Sequence, residues 1–376
     1  HRYQWFQGLK GVIVKLSLFS IISYILTNYL ITLVNIIHHK GNMKSILNWF
    51  VLLVSIASLI SSCKSPDSSS SSDNSPSSTS SGLFISIGDS GTLLTSQDGI
   101  TWTSRISGTS KNLRSIAFDG VNTLVAVGFS GTILSSSDGT TWTSRTSGTT
   151  KNINNVFYGN SKFFAVGDNG TTVQSSDGIS WINWTSNCGA NDNESLWDIA
   201  HGNGTWVTVG DNGSIYTSDE SSCTLRTSGT IEELNELYYG NSTFVALGDN
   251  GTILSSTDGI TWTKRISGTT DRLYSGIYRN SNFVAVGMNG TLLTASDATS
   301  SSTWTSNRTY TQDAYSTTSV NTHFYGIAYG NSIWVIIGQS GNIYTTSDKN
   351  ISTSMVVNSR SSGTTENLRK VFLKAE

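Results

Sequence analysis

Proline is nearly missing from this chain of 376 residues: Pro66 and Pro76 are the only two. A long proline-free stretch suits a domain of hydrogen-bonded strands joined by tight glycine turns. Charge is scarce as well, at 13% of residues, with 23 basic against 25 acidic. Every acid lies beyond Cys63, whereas Arg2, Lys10, Lys15, Lys40 and Lys44 precede it, so the chain from Cys63 onward holds 18 basic and 25 acidic residues, a net charge of −7. That balance excludes a sequence-independent nucleic-acid binder, which needs a basic footprint to displace counterions. Beyond residue 62 there are two histidines, His201 and His323, and neither stands in a Ser or Cys setting that would make a nucleophile.

Long apolar runs are confined to the first 60 residues. The first methionine is Met43, and the segment after it reads as an export signal: Lys44, then a largely apolar stretch over 46–60, then Ser61-Ser62-Cys63. This resembles a bacterial lipoprotein signal with a relaxed lipobox. The resemblance implies cleavage before Cys63, lipidation of that cysteine and a place in the cell envelope, on the periplasmic side or the cell surface. The apolar stretch is shorter than the roughly 20 residues a membrane span requires. Residues 16–37 are long enough to span, and segment 1–42 is expected to be either a mis-extended upstream reading or an extra span. Residues 63–82 are almost all serine and predict a disordered tether.

The remainder, 83–376, repeats. An apolar run ending in G-x-[SN]-G recurs seven times, with its first glycine at Gly88, Gly128, Gly167, Gly210, Gly248, Gly287 and Gly338. Gaps of 40, 39, 43, 38, 39 and 51 residues fit one four-stranded sheet per repeat. The pattern predicts an all-β, seven-bladed propeller of antiparallel blades. The second strand of each repeat is an unalternated apolar run, such as Leu124-Val125-Ala126-Val127, which implies burial on both faces. The first repeat lacks a first strand, and the chain ends in a segment, 367–373, that matches 112–118. The last strand is therefore expected to complete the first blade and close the ring, removing two open sheet edges.

The turn between third and fourth strands reads S-x-D-G-x-[ST]-W at 96–102, 136–142, 175–181 and 256–262. Its aspartates are Asp98, Asp138, Asp177 and Asp258, with Asp219, Asp297 and Asp348 at the matching points of the other three repeats. These turns resemble the Asp-box of bacterial sialidase-type propellers, shortened by one residue between Asp and Gly, and similar tandem boxes occur in the photosystem II assembly-factor family of seven-bladed propellers. The resemblance implies the fold; a structural role is expected for the seven aspartates because each carboxylate can bond across its own turn and their ring is too wide to converge on one substrate. The arginine-bearing [FY]-R-I-P motif of sialidases is absent. Carboxylate pairs such as Glu232 with Glu233, or Asp271 with Glu366, are the nominees for a glycosidase. The G-D-[SN]-G turns at Asp89, Asp168, Asp211 and Asp249 lack the spaced oxygen ligands of a calcium loop, and type I turns with a glycine bulge account for them. No metal or cofactor is expected.

Two connections break the period. One, over 306–323, contains Tyr310, Asp313 and Tyr315; the other, over 187–195, contains Cys188. Both are expected on the face where outer strands lead to inner ones, near the channel mouth, together with Lys111, Arg114, Lys151, Arg272 and Arg369. Cys188 and Cys223 are the candidate disulfide, available to an exported protein if their Cα atoms approach within about 7 Å. The leading expectation is a monomeric, membrane-anchored, non-catalytic binding or assembly platform for a protein or glycan. The alternatives are a divergent carbohydrate-active propeller and a lectin-like module.

Overall fold

The computed structural model describes residues 82–184, 194–220, 222–299, 304–312, 317–347 and 354–374. The export signal, Cys63, the serine-rich tether, Cys188, Asp313, Tyr315 and Asp348 lie outside the described residues.

Seven blades form a closed ring. Their inner strands are Leu368–Lys374, Leu113–Phe118, Ile153–Gly159, Leu196–Gly202, Leu234–Gly240, Leu273–Arg279 and Phe324–Gly330, for blades one to seven in that order. Each inner strand packs beside the next, and that of blade one joins both blade two and blade seven. Within a blade the strands run antiparallel from the inner strand to the rim. Closure is carried by the chain terminus: Leu368–Lys374 pairs with Leu83–Gly88 from Leu83↔Lys374 to Gly88↔Leu368.

The apolar second strands fill the space between blades. Among the described residues there are seven hydrophobic clusters, and each straddles two neighbouring blades, as where Ile85, Ile87 and Leu93 of blade one meet Leu113, Leu124 and Leu134 of blade two. A blade thus has no core of its own and depends on its neighbours for burial. The glycine of the S-x-D-G turn adds to this contact. At Gly139 (φ +77°) a Cβ would stand 2.8 Å from Ile85, and at Gly178 (φ +70°) 2.8 Å from Val125, both on the preceding blade.

The irregularity after the sixth blade is a rim feature. Its outer strand, Thr305–Gln312, runs on past the blade, forms a hairpin with Thr317–Ser319, and pairs in parallel with the outer strand of blade seven, Ser354–Arg360. The described residues of this extension pair their backbone along the outer edge. Tyr310, expected at the channel mouth, instead pairs with Ser319 and Val356 on this outer strand.

Deleting 368–376 removes the inner strand of blade one together with Leu368 and Val371, both buried between blades. Each such loss costs about 2–5 kcal/mol, so the truncated protein is expected to be destabilised by more than about 4 kcal/mol. A thermal melt followed by circular dichroism checks this, and an unchanged transition would contradict closure by this strand.

Candidate functional site

Every inner strand carries a β-bulge near its start, between Leu113 and Ser115, Ile153 and Asn155, Leu196 and Asp198, Leu234 and Glu236, Leu273 and Ser275, Phe324 and Gly326, and at Leu368 to Lys370. The extra residues are Arg114, Asn154, Trp197, Asn235, Tyr274, Tyr325 and Arg369. A bulge re-aims side chains, and here two successive residues of a strand reach the channel: Asn154 with Asn155, Asn235 with Glu236, Arg369 with Lys370. Together with Arg114, Trp197, Glu233, Arg272, Tyr274 and Tyr325 they enclose a cavity of about 460 Å³.

The turns of the G-x-[SN]-G motif hold this ring in place. Their two central residues both have positive φ, as at Ser90 (53°) with Gly91 (72°) and Asn169 (54°) with Gly170 (64°). They are therefore type I′ turns, the mirror image of the expected type I, and they match the right-handed twist of the strands they join. The first residue of the turn is Asp89, Asp168, Asp211 or Asp249 in four blades, and its carboxylate grips the bulged residue of the same blade. Asp89 accepts from Arg369 Nε at 2.9 Å and Nη2 at 2.7 Å. Asp168 accepts from Asn154 Nδ2 at 2.8 Å, Asp211 from Trp197 Nε1 at 2.6 Å, and Asp249 from Asn235 Nδ2 at 2.9 Å. Asp249 also pairs with Arg272, which reaches Glu233 at 3.0 Å. Burial alone would push the Asp89 carboxyl up, but the hydrogen bonds and charge of Arg369, with Asn367, hold it below the usual range.

Of the basic residues expected at the mouth, Arg114, Arg272 and Arg369 meet there; Lys111 and Lys151 are exposed outside the cavity. Aromatic rings interleave with the guanidinium groups. Arg369 lies 4.7 Å from the Tyr325 ring, Arg272 5.9 Å from Tyr274, and Arg114 4.7 Å from Phe129 and 5.9 Å from Trp197. Tyr274 and Tyr325 meet edge to face at 5.0 Å.

Sequence reasoning missed the floor of the channel. The residues after the bulge include Asp198, Glu236 and Lys370, and Lys370 of blade one reaches Glu236 of blade five with its Nζ 2.8 and 3.0 Å from the two carboxylate oxygens. Asp198 is 3% exposed and accepts backbone N–H groups from Leu237 at 2.7 Å and Ile199 at 2.6 Å. Burial, and then the negative charge of Glu236, push the Asp198 carboxyl well above its ordinary value. Burial works against charge on Lys370, but Glu236 and Asp198 outweigh it and raise the ammonium. The available signal was a polar residue at the third place of six of the seven inner strands, Gly326 being the exception.

The glycosidase nominees do not converge. Glu233 is committed to Arg272, Glu232 accepts from Asn250, and Asp271 accepts from Asn289 and Thr291. His201 packs against Trp206 with its ring tilted, 4.7 Å between centroids. The S-x-D-G turns show local bonding: Asp98 Oδ1 accepts from the backbone N–H of Ile100 and of Thr101, both at 2.8 Å, and from Ser96 Oγ at 2.9 Å, while Trp102 Nε1 donates to the Gly99 carbonyl at 3.0 Å. The same backbone bonds recur at Asp138, Asp177 and Asp258; Asp219 accepts from the Ser222 N–H, and Asp297 from that of Thr299. Cys223 is disulfide-bonded, to a partner outside the described residues.

No family model matches the chain, and no curated protein does. Among solved structures, YCF48 bound to D1 peptide is similar with a TM-score of 0.53 at 16% identity, over 70% of this chain and 93% of that one. YCF48 from Cyanidioschyzon merolae gives 0.50 at 17% identity, over 69% and 85%. The WD40 propeller domain of Doa1 gives 0.52 at 13% identity, over 76% and 88%. At such low identities the structural likeness shows a shared propeller fold and nothing more.

The turn carboxylates make acid stability predictable. Backbone N–H groups of Thr261 and Ile260 hold Asp258 down to about 2, and the equivalent bonds lower Asp98, Asp138 and Asp177 despite what desolvation adds. A carboxyl lowered on folding contributes stability above its unfolded pKa, about 3.9, and that contribution is lost as pH falls through the folded value. Urea midpoints are therefore expected to fall steeply from about pH 4 to pH 2, and less steeply in Asp258→Asn. Equal slopes for parent and variant would contradict the assignment.

Proposed function

We propose that this protein is an exported, membrane-anchored platform whose propeller holds a segment of a partner protein at the channel mouth, without catalysis. The observation that carries this reading is the ring of bulged residues. Seven inner strands aim arginine, asparagine, tryptophan and tyrosine at one cavity, and turn carboxylates preorder several of them. Rigid aromatic and arginine groups in a desolvated pocket are what binding hot spots are made of. The likeness in fold to YCF48, which was solved with a bound peptide, supports a protein partner.

The buried pair Asp198 and Glu236 is the observation that favours a hydrolase instead. Against it, Glu236 is bound by Lys370 and both oxygens of Asp198 accept backbone N–H groups, so neither is free to take or give a proton at a substrate held above them. The turns that resemble Asp-boxes bond within themselves, which supports a structural role for them.

The test is affinity capture from envelope extracts with the full chain in detergent. Trp197→Ala and Tyr325→Ala are expected to weaken capture of the partner at least about ten-fold, whereas Ile106→Ser, on an exposed connection, leaves it unchanged. Capture indifferent to the mouth variants, or glycans as the only retained ligands, would overturn the reading.

Anchoring is proposed through Cys63. Cys63→Ala is expected to move the protein from the detergent phase to the aqueous phase, because the serine-rich tether has no apolar surface to replace the acyl chains. Retention of the variant in the detergent phase would favour a membrane span.

A further inference from the structure

Two arginines occupy the same place in the fold and differ in one respect. Arg369 is the bulged residue of blade one, and the first residue of that blade's turn, Asp89, fills its guanidinium fork with a carboxylate. Arg114 is the bulged residue of blade two, where the same turn position is Phe129. The ring lies under the guanidinium at 4.7 Å and holds its plane without occupying its N–H groups. Arg114 makes no hydrogen bond or ion pair to any described residue. The nearest acids are committed elsewhere: Asp89 to Arg369 and Asn367, Asp168 to Asn152 and Asn154.

A second observation falls in the same cavity. On the neighbouring inner strand, Asn154 is 6% exposed, and its Oδ1 is a buried acceptor with no donor. Its amide nitrogen is oriented by Asp168 and by the Leu196 carbonyl at 3.0 Å, which fixes the oxygen as the end left over. A charged fork lacking an acceptor and a buried acceptor lacking a donor thus line one pocket. The buried oxygen is the costly one to leave unpaired.

We infer that Arg114 forms a seat for an acidic residue of an extended peptide, whose carboxylate takes the place that Asp89 fills against Arg369, beside Asn154 on the neighbouring inner strand. Planar, two-point recognition of this kind is what a guanidinium provides and an ammonium does not. The inference rests on the platform reading only in taking the occupant to be a peptide.

Calorimetric titration of the full chain in detergent tests it, with the blocked peptides Ac-Gly-Asp-Gly-Gly-NH2 and Ac-Gly-Asn-Gly-Gly-NH2, glucuronate and inorganic phosphate as probes. The aspartyl peptide is expected to bind at least ten-fold more tightly than the asparaginyl one. Arg114→Gln should abolish that preference, and Arg114→Lys should fail to restore it. Phe129→Asp is the decisive variant. It gives blade two the carboxylate of blade one, so it should block the aspartyl peptide while raising the melting temperature, which also shows that the fold is intact. Equal binding by parent and Arg114→Gln, or undiminished binding by Phe129→Asp, would overturn the seat. Tighter binding of glucuronate or phosphate than of the aspartyl peptide would overturn the peptide assignment. Partner capture that survives Phe129→Asp would sink the seat and leave the platform reading standing; seating of the aspartyl peptide with no protein captured would do the reverse.

Discussion

One backbone contact, made seven times, governs the rest of the structure. The carbonyl of the residue before each inner strand, Asn112 in blade two, accepts the N–H of the first turn residue, Phe129, at 2.9 Å, and equivalent bonds of 2.9 to 3.0 Å occur in all seven blades. That carbonyl lies where the side chain of the preceding residue would be. A Cβ at Gly128 would stand 2.1 Å from Asn112 O, and the other six signal glycines meet their carbonyls at 2.0 to 2.3 Å. These glycines are extended, with φ near −165°, so close approach and not backbone conformation requires them.

The contact draws the start of the inner strand over the turn, and the strand accommodates it with a bulge. The bulge turns a further side chain toward the channel, and the turn carboxylate lies within reach of it. Glycine, bulge, carboxylate and channel residue are thus successive consequences of one hydrogen bond. The same device explains how a domain of low charge concentrates arginine at one place. Arg272 and Arg369 are tolerated at the mouth because Asp249, Glu233 and Asp89 neutralise them, and Arg114 because Phe129 supports its face.

Beneath the mouth, the tie between Lys370 and Glu236 links blades one and five across the channel, and Asp198 beside it is held by the N–H groups of Leu237 and Ile199. The terminal strand therefore closes the ring in two ways, by its ladder to Leu83–Gly88 and by Lys370. Arg369, next in line, belongs to the mouth. Ring closure and the candidate site share one seven-residue strand.

The amino-acid sequence by itself determined the blade number, the blade order and the closing strand, because a repeat of about 40 residues with an unalternated apolar run can be buried only between like neighbours. It also grouped Arg114, Arg272 and Arg369 with Lys111 and Lys151, since all five fall at or just before the start of an inner strand, and the structure brings only the three arginines to the cavity. What it left undecided is which charges are satisfied. That Arg369 has a carboxylate and Arg114 a ring depends on a turn residue paired across a bulge, and bulges leave no distinct mark in a short strand. The Asp198, Glu236 and Lys370 cluster joins residues 38 and 134 positions apart, and only the curvature of the ring decides that they meet. The long connection after blade six shows the same limit: its residues read as a loop, and edge pairing with the outer strand of the next blade made it part of the rim.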